Sequence, residues 1–519
     1  MSTTPYSLSL EDAVQTGMTI AWQAARFPAA SAVVSNYGER SFSDLNANAN
    51  RLVRCLREGG LVAGDSVAIV AKNRPEFVEV LAATMRSGLR LTPINYHLKG
   101  EEIGYVVDNC DAKAFIADAT LGDAPVEALT HAPGVRLALS VGGDLAGYES
   151  YAAAISPFTG DNIDDPSLGA RMLYTSGTTG RPKGVFRKDR LPEVPQGEDS
   201  LNGYRAGQDR ALVTGPGYHA APLLIDIVTP LISGVGIVMM DKWDAEQTLR
   251  LIDRHCITHT HMVATMFHRL LQLPEAVREQ YDVSSLRRLV HGAAPCPVHV
   301  KRSMIEWLGP VLYEFYGGTE GGGCTISSAE WLARPGSVGR PFPHLELSIF
   351  DDEGRSVATG VEGEVWFRQP GEFTYKDDPD KTAAAVRNGL MTLGDIGYVD
   401  DEGYLFLCDR RADVIVSGGV NIYPAQIEAA LAGFPGLADC CVVGAPDDEW
   451  GEMVVAVVEP VEGVELDPEA LRAFAAGRLA RYQVPRRIDL VGSLPRTETG
   501  KLARRAVRNP YWSGRERRI

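Results

Sequence analysis

The sequence predicts an α/β architecture for most of the chain, followed by a small α+β unit. Three observations predict it. Up to about His291, short apolar runs alternate with amphipathic helical patterns, the signature of strand, helix, strand units and a largely parallel sheet covered on both faces. From Pro341 to Val399 the rhythm changes to short alternating stretches closed by Gly-rich or Asp-rich turns, which predicts antiparallel strands. After Tyr404 to Asp409 it changes again, to a small mixed pattern.

The elements follow in order. Ser66 to Ala71 (SVAIVA) and Ala114 to Ala117 (AFIA) are too short and too apolar for surface helices and are predicted as buried strands; Pro75 to Arg86 and Glu101 to Asn109 carry helical patterns between them. Gly234 to Met240 precedes a helix over Ala245 to Asp253, and Leu286 to His291 precedes another. LELSIFDDEG, GEVWFRQPG and TLGDIGYVDDEG supply the antiparallel strands. The last part has strands at Cys440 to Val443 and Met453 to Val458 and a helix from Pro468 to Leu479, with a domain boundary expected near Asp409 to Asp413. No self-similarity at solenoid or propeller spacing is visible.

The chain has 519 residues, too many for one ordinary core, so a large domain and a smaller one are expected. With 45% hydrophobic and 23% charged residues it has the composition of a soluble globular protein. No apolar run is long enough to span a bilayer, and the start, MSTTPYSLSLEDAVQTG, lacks a secretory signal, so a cytoplasmic location is expected. The eight cysteines show no metal-ligand spacing and are expected to be reduced core thiols. A net charge of −16 argues against a nucleic-acid partner. From Leu471 onward the balance reverses, which suits either a polyanionic small ligand or a solvated basic tail.

The strand end Met172 to Tyr174 runs into Thr175, Ser176, Gly177, Thr178, Thr179 and Gly180, then Arg181, Pro182, Lys183 and Gly184. Hydroxyls, closely approaching backbone amides and one cation are what a polyphosphate requires. The Walker pattern is absent, since Pro182 precedes Lys183 and neither Ser nor Thr follows it, so the usual helix start after the loop does not follow from the sequence.

The run YTSGTTGRPKG resembles the phosphate loop of the adenylate-forming superfamily of acyl-CoA synthetases, luciferases and peptide-synthetase adenylation domains. Further stretches resemble that superfamily in its own order over nearly the whole chain: HGAAPCP at His291 to Pro297, YGGTE at Tyr316 to Glu320, TLGD at Thr392 to Asp395, the run Asp409 to Glu428, and PRTETGK at Pro495 to Lys501. The resemblance implies stacked mixed sheets and a β-barrel-like subdomain in residues 1–408, a hinge at 409–413 and a mobile α+β domain at 414–519. It implies that Gly292, Ala293, Ala294 and Pro295 flank adenine, that Tyr316 stacks on it beside Gly317 and Gly318, and that Thr319 bonds a phosphate. Glu320 would hold Mg²⁺, which favours one or two carboxylates plus substrate oxygens. Asp395 would accept the ribose hydroxyls with Arg410 near the same sugar. Lys501 would bridge carboxylate and phosphate as two anions meet, supplying charge where the transition state needs it. The hinge position, often Asp or Lys in the family, falls on Ala412, which leaves soft dihedrals but no hinge side-chain hydrogen bond.

By the same resemblance His219 closes the acyl side or steers the carboxylate, with Ala220, Thr265 and Met266 as pocket wall. Gly321, Gly322 and Gly323 stand where larger side chains would line the acyl pocket, so a wide site for a bulky, alicyclic or long-chain acid is expected. Ser417, Gly418, Gly419, Trp450, Arg486 and Arg487 resemble the CoA-using branch and favour CoA as acceptor. Transfer to an amine or a carrier protein shares the first half-reaction. A non-catalytic adenylate sensor would have lost Lys501 or Glu320, and this chain keeps both. Expected ligands are therefore a carboxylic acid, ATP, Mg²⁺ and CoA, on a monomer or homodimer.

Overall fold

The computed structural model describes residues 8–175, 182–187, 192–198, 200, 202–410, 413–417, 420–447, 450–496 and 502–513. They fall into two compact units, one of Met1–Met262, Arg269–His291 and Gly371–Ala384, the other of Val263–His268, Gly292–Pro370 and Ala385–Ile519.

The first unit is built on two sheets. One includes, in order, Arg288–Gly292, His259–Met262, Arg210–Val213, Gly236–Met239, Ser31–Ser35 and Gly38–Ser41. Its pairings are parallel apart from the terminal hairpin. The other runs Phe373–Tyr375, Lys183–Arg187, Ala170–Thr175, Arg90–Ile94, Ser66–Val70, Ala112–Asp118, Leu137–Val141 and Glu149–Ser150. It is parallel through its centre and antiparallel at the edge that carries Thr175 and Lys183. Helix Pro75–Arg86 touches strands of both sheets and is buried along nearly its whole length. That explains its sequence, since a helix between two sheets has no face left for water. The predicted strands at Ser66 and Ala114 are central in the second sheet because they are apolar on both faces.

The second unit starts as an antiparallel path of Leu312–Gly318, Gly321–Ser327, Ser337–Pro341, Leu405–Arg410, Leu390–Val399, Gly363–Arg368 and Glu346–Phe350. The path curls strongly. Phe367, far along it, lies over Gly322 near its start, which gives the barrel-like shape. The buried pair Lys301 and Glu314, 2.6 Å apart, ties helix Val298–Leu308 to strand Leu312–Gly318. A five-stranded sheet follows, Val420–Ile422, Ile415–Ser417, Gly451–Pro460 and Leu437–Asp447 in order, with Arg487–Leu490 added in parallel to Gly451–Pro460.

Three expectations need adjusting. The strand predicted at Cys440 to Val443 extends over Leu437–Asp447, because its partner Gly451–Pro460 is equally long and pairs along it. The helix predicted to reach Leu479 ends at Ala476, where Gly477 caps it. Of the cysteines expected in the core, Cys256 is exposed, ending helix Ala245–His255 in a left-handed conformation, and Cys296 is half-buried. All eight are free. Among the described residues no helix is long and apolar enough to cross a membrane.

Candidate active site

In the first unit, Ala170–Thr175 and Lys183–Arg187 form a hairpin in which Thr175 stands opposite Lys183 and Tyr174 opposite Gly184. The phosphate-loop run thus joins two paired strands of one hairpin. Ser176, Gly177, Thr178, Thr179 and Gly180 lie outside the described residues. Gly184 packs closely, since a Cβ there would stand 3.1 Å from the Tyr174 ring and from Met172 sulfur. The Tyr174 hydroxyl donates to Asn109 Oδ1 at 2.6 Å, fixing this strand against helix Gly100–Asn109.

The ammonium of Lys183 is paired with Asp378, a residue the sequence did not single out. Strand Phe373–Tyr375 pairs with Lys183–Arg187, and the Lys376 N–H donates to Gly184 O at 2.8 Å, which brings Asp378 beside the lysine. Lys183 holds the Asp378 carboxyl below the usual carboxylate range. The only available signal was the turn chemistry of KDDPD, an acid before Pro at a helix start.

His219 opens a helical run that continues through Ala220 into Pro222–Val228. Its ring lies 4.4 Å from that of Tyr218. The turn before it is pinned by Asn73, whose amide donates to Gly215 O at 3.0 Å and Met240 O at 2.9 Å and whose carbonyl accepts from Gly217 N–H at 2.9 Å. Nothing in the sequence around Asn73 points to this, because its partners lie far along the chain.

In the second unit, Gly292, Ala293, Ala294 and Pro295 link a strand to helix Val298–Leu308. A Cβ at Gly292 would stand 2.4 Å from Phe315 O, and Ala293 is held at φ 65°, a strained value for a residue with a side chain. Strand Leu312–Gly318 carries Tyr316, Gly317 and Gly318, and Gly318 pairs with Gly321, so Thr319 and Glu320 form a two-residue hairpin tip. Gln369 clamps that tip, donating to Glu320 O at 3.1 Å and accepting from Gly322 N–H at 3.0 Å.

Three predicted nucleotide residues converge here. The Tyr316 hydroxyl donates to Asp395 Oδ2 at 2.6 Å, and Arg410, opposite Asp395 in the strand register, places Nε 3.4 Å from Oδ1. Asp395 is 7% exposed, and burial raises its pKa despite the opposing pull of Arg410 and Tyr316. This is a buried acceptor with its two donors in place, the arrangement that a pair of sugar hydroxyls would enter.

Of the segment expected on the acyl side, Ala264 and Phe267 are buried while Thr265 and Met266, between them, are half-exposed. The glycine argument needs correcting. Gly321, Gly322 and Gly323 have φ of 125°, 71° and 148°, so the backbone itself demands glycine. A Cβ at Gly322 would stand 2.9 Å from Phe367, and one at Gly323 2.6 Å from Phe342. The space these two release is filled by the protein's own rings.

In the last sheet, Ser417 pairs with both Val420 and Gly451, next to Trp450; Gly418 and Gly419 lie outside the described residues. Trp450 is 42% exposed, and the Arg486 guanidinium lies 5.2 Å from its ring centre and 3.3 Å from Asp447. Arg487 does not join them. Strand alternation turns it to Asp489, at 2.8 Å, and over the Tyr511 ring. Much of the basic stretch is similarly engaged within its own domain, Arg496 with Asp439, Arg504 with Glu428 and Arg508 with Asp413. Lys501 and Ala412 lie outside the described residues. Arg496 and Leu502 form a β-bridge, and the Ala503 N–H donates to Pro495 O at 2.8 Å.

The chain matches the family model of AMP-binding enzymes over residues 20–374 and that of the AMP-binding enzyme C-terminal domain over 426–501. It is 31% identical to a fatty acid–[acyl-carrier-protein] ligase of Streptomyces coeruleorubidus over 96% of this chain and 97% of that protein. It is 33% identical to an indoleacetate–CoA ligase of Aromatoleum aromaticum over 90% and 92%. Among solved structures, it resembles the amide bond synthetase McbA from Marinactinospora thermotolerans, with a TM-score of 0.83 and 28% identity over 96% of this chain and 100% of that one.

Proposed function

This chain belongs to the family of AMP-binding enzymes, and we propose that it activates a carboxylic acid with ATP and passes the acyl group to CoA. In the first step a carboxylate oxygen attacks the α-phosphorus, pyrophosphate leaves, and a mixed anhydride of acid and AMP forms. In the second the CoA thiol attacks the acyl carbon, AMP leaves, and the thiol proton passes to solvent.

The observation that carries this reading is the Tyr316, Asp395 and Arg410 cluster, on the strand that ends in the Thr319–Glu320 tip. Asp395 accepts the ribose hydroxyls while Arg410 and Tyr316 hold it, and Thr319 meets a phosphate. Glu320, a single half-buried carboxylate at a hairpin tip, suits Mg²⁺ held mainly by phosphate oxygens; the ion would offset phosphate charge. Thr175 to Gly180 and Lys183 receive the polyphosphate, and Lys501 supplies charge to the first step. The division into residues 1–408 and 414–519 about Ala412 lets the small domain present Lys501 first and the Ser417, Trp450 and Arg486 surface second. Arg486 over Trp450 gives that surface a cation above an exposed ring, suited to a nucleotide phosphate. A bulky or long apolar acid is consistent with relatives named for indoleacetate and fatty acid.

A second reading is favoured by the carrier-protein ligase and by the amide bond synthetase, in which the acceptor is a carrier or an amine. One experiment separates them. A panel of acids is incubated with ATP and Mg²⁺, with and without CoA, and AMP and acyl products are detected by mass. CoA-dependent thioester is expected; AMP release that depends on an amine or carrier, with no thioester from any acid, overturns the CoA reading.

A further inference from the structure

Lys183 is the lysine of the phosphate-loop run, yet its ammonium is already engaged. Its partner, Asp378, stands 195 residues further along the chain. Both side chains are largely enclosed, at 18% and 22% exposure.

The pairing is built by a segment that seems at first to have no other task. The stretch Gly371–Ala384 packs within the first unit. Its strand Phe373–Tyr375 adds to Lys183–Arg187, and the chain then turns through Lys376 and Asp377. That turn is tied down on both residues. Lys376 Nζ lies 2.9 Å from Asp111 Oδ2, and Asp377 accepts from Asn109 Nδ2 at 3.2 Å. Asn109 is also the residue that receives the Tyr174 hydroxyl, so the tie returns to the hairpin that carries Lys183. Asp377 is held at φ 57°, a left-handed value that costs energy for a residue with a side chain. The strained turn delivers Asp378 to the lysine. Asp378 divides its two oxygens: Oδ1 accepts from the Lys381 N–H at 3.0 Å and caps helix Pro379–Ala385, which leaves Oδ2 for Lys183.

An enclosed ammonium needs a counter-charge, and here it has one before any ligand arrives. A phosphate that reaches Lys183 therefore meets an anion already in place, and two like charges at contact distance repel. The aspartate steadies the empty site and opposes the ligand.

We propose that Asp378 is an exchangeable counter-ion of Lys183 that limits how tightly the polyphosphate is held: the lysine leaves it for a phosphate oxygen when ATP binds and returns to it when pyrophosphate departs. This rests on the reading of the hairpin as the polyphosphate site. Asp378 acts through Lys183 and does not itself bind the substrate, so it is a positioning residue whose removal strengthens binding.

The test is calorimetric titration of the full chain with ATP and Mg²⁺ and, separately, with pyrophosphate and Mg²⁺. Four proteins are compared: the parent, Asp378→Asn, Lys183→Met and the double variant. Asparagine keeps the helix cap and loses the charge. In Asp378→Asn the Kd for ATP is expected to fall about fivefold, with a similar fall for pyrophosphate. In the Lys183→Met background the same change at 378 is expected to have no effect. A residue that merely braced the turn would give weaker binding or none of this dependence on Lys183. An unchanged or raised Kd in folded Asp378→Asn, or an equal gain with and without Lys183, overturns the counter-ion while leaving acid activation standing. Asp378→Ser, a second capping residue without charge, carries the same test should the asparagine variant not fold. Failure of the parent chain to bind ATP overturns both readings.

Discussion

Asp395 shows how much rests on single side chains. It is buried, raised in pKa by desolvation, and held by Tyr316 and Arg410. Asp395→Asn removes the charge but keeps the shape, so the KM for ATP is expected to rise by about 10- to 100-fold, the worth of one or two hydrogen bonds to a charged group. A KM within twofold of the parent would remove Asp395 from the nucleotide site. Asn73 acts one step further from the chemistry. Its three hydrogen bonds set the turn before His219, and Asn73→Leu leaves buried backbone groups unpaired, at a cost of about 2–4 kcal/mol in unfolding free energy. Denaturant unfolding measures this, and a raised KM for the acid is expected alongside. Asp395 could be singled out from TLGD because that string is contiguous and resembles the family's ribose-binding segment. Asn73 and Asp378 were not, because each acts on residues far away in the chain.

At the scale of elements, Arg504 shows how the segment after Lys501 is anchored. Its guanidinium bonds both oxygens of Glu428 on helix Pro424–Leu431, the carbonyl of Val442, at 2.6 Å, and reaches Asp413 at 3.6 Å. Removing one member of a buried ion network leaves the others uncompensated, so Arg504→Met is expected to cost about 3 kcal/mol and to slow adenylation more than transfer from supplied acyl-adenylate. Equal slowing of both steps would argue against an effect through Lys501. Strand His259–Met262 carries a pH dependence. His259 is buried, its Nε2 meets Asn202 O at 2.8 Å, and burial lowers its pKa from the usual 6.5 to about 4. The folded protein keeps the imidazole neutral while the unfolded chain protonates it. Its stabilising contribution is therefore full above about pH 6.5 and is lost as pH falls toward 4, by roughly 3 kcal/mol. Melting temperature against pH reads this, and His259→Gln should flatten the loss in that window.

For the whole molecule, the expectation is that one small domain serves two half-reactions in turn. Lys501→Ala should then abolish adenylation, by about a hundredfold or more for a group aimed at developing charge, while thioester formation from supplied acyl-adenylate changes little. Equal loss in both half-reactions would contradict a domain that presents different surfaces to the two steps.

What the sequence determined by itself is the class of chemistry and the alternation of elements. Both are local: the phosphate-loop run, YGGTE and TLGD are contiguous strings, and strand and helix periods are read within a few turns. Tertiary structure decided what non-local packing decides. It showed that the glycines after Glu320 follow backbone conformation and make room for Phe342 and Phe367, which only a curled sheet can bring over them. It separated Arg486, over Trp450, from Arg487, turned to Asp489, because adjacent strand residues face opposite ways.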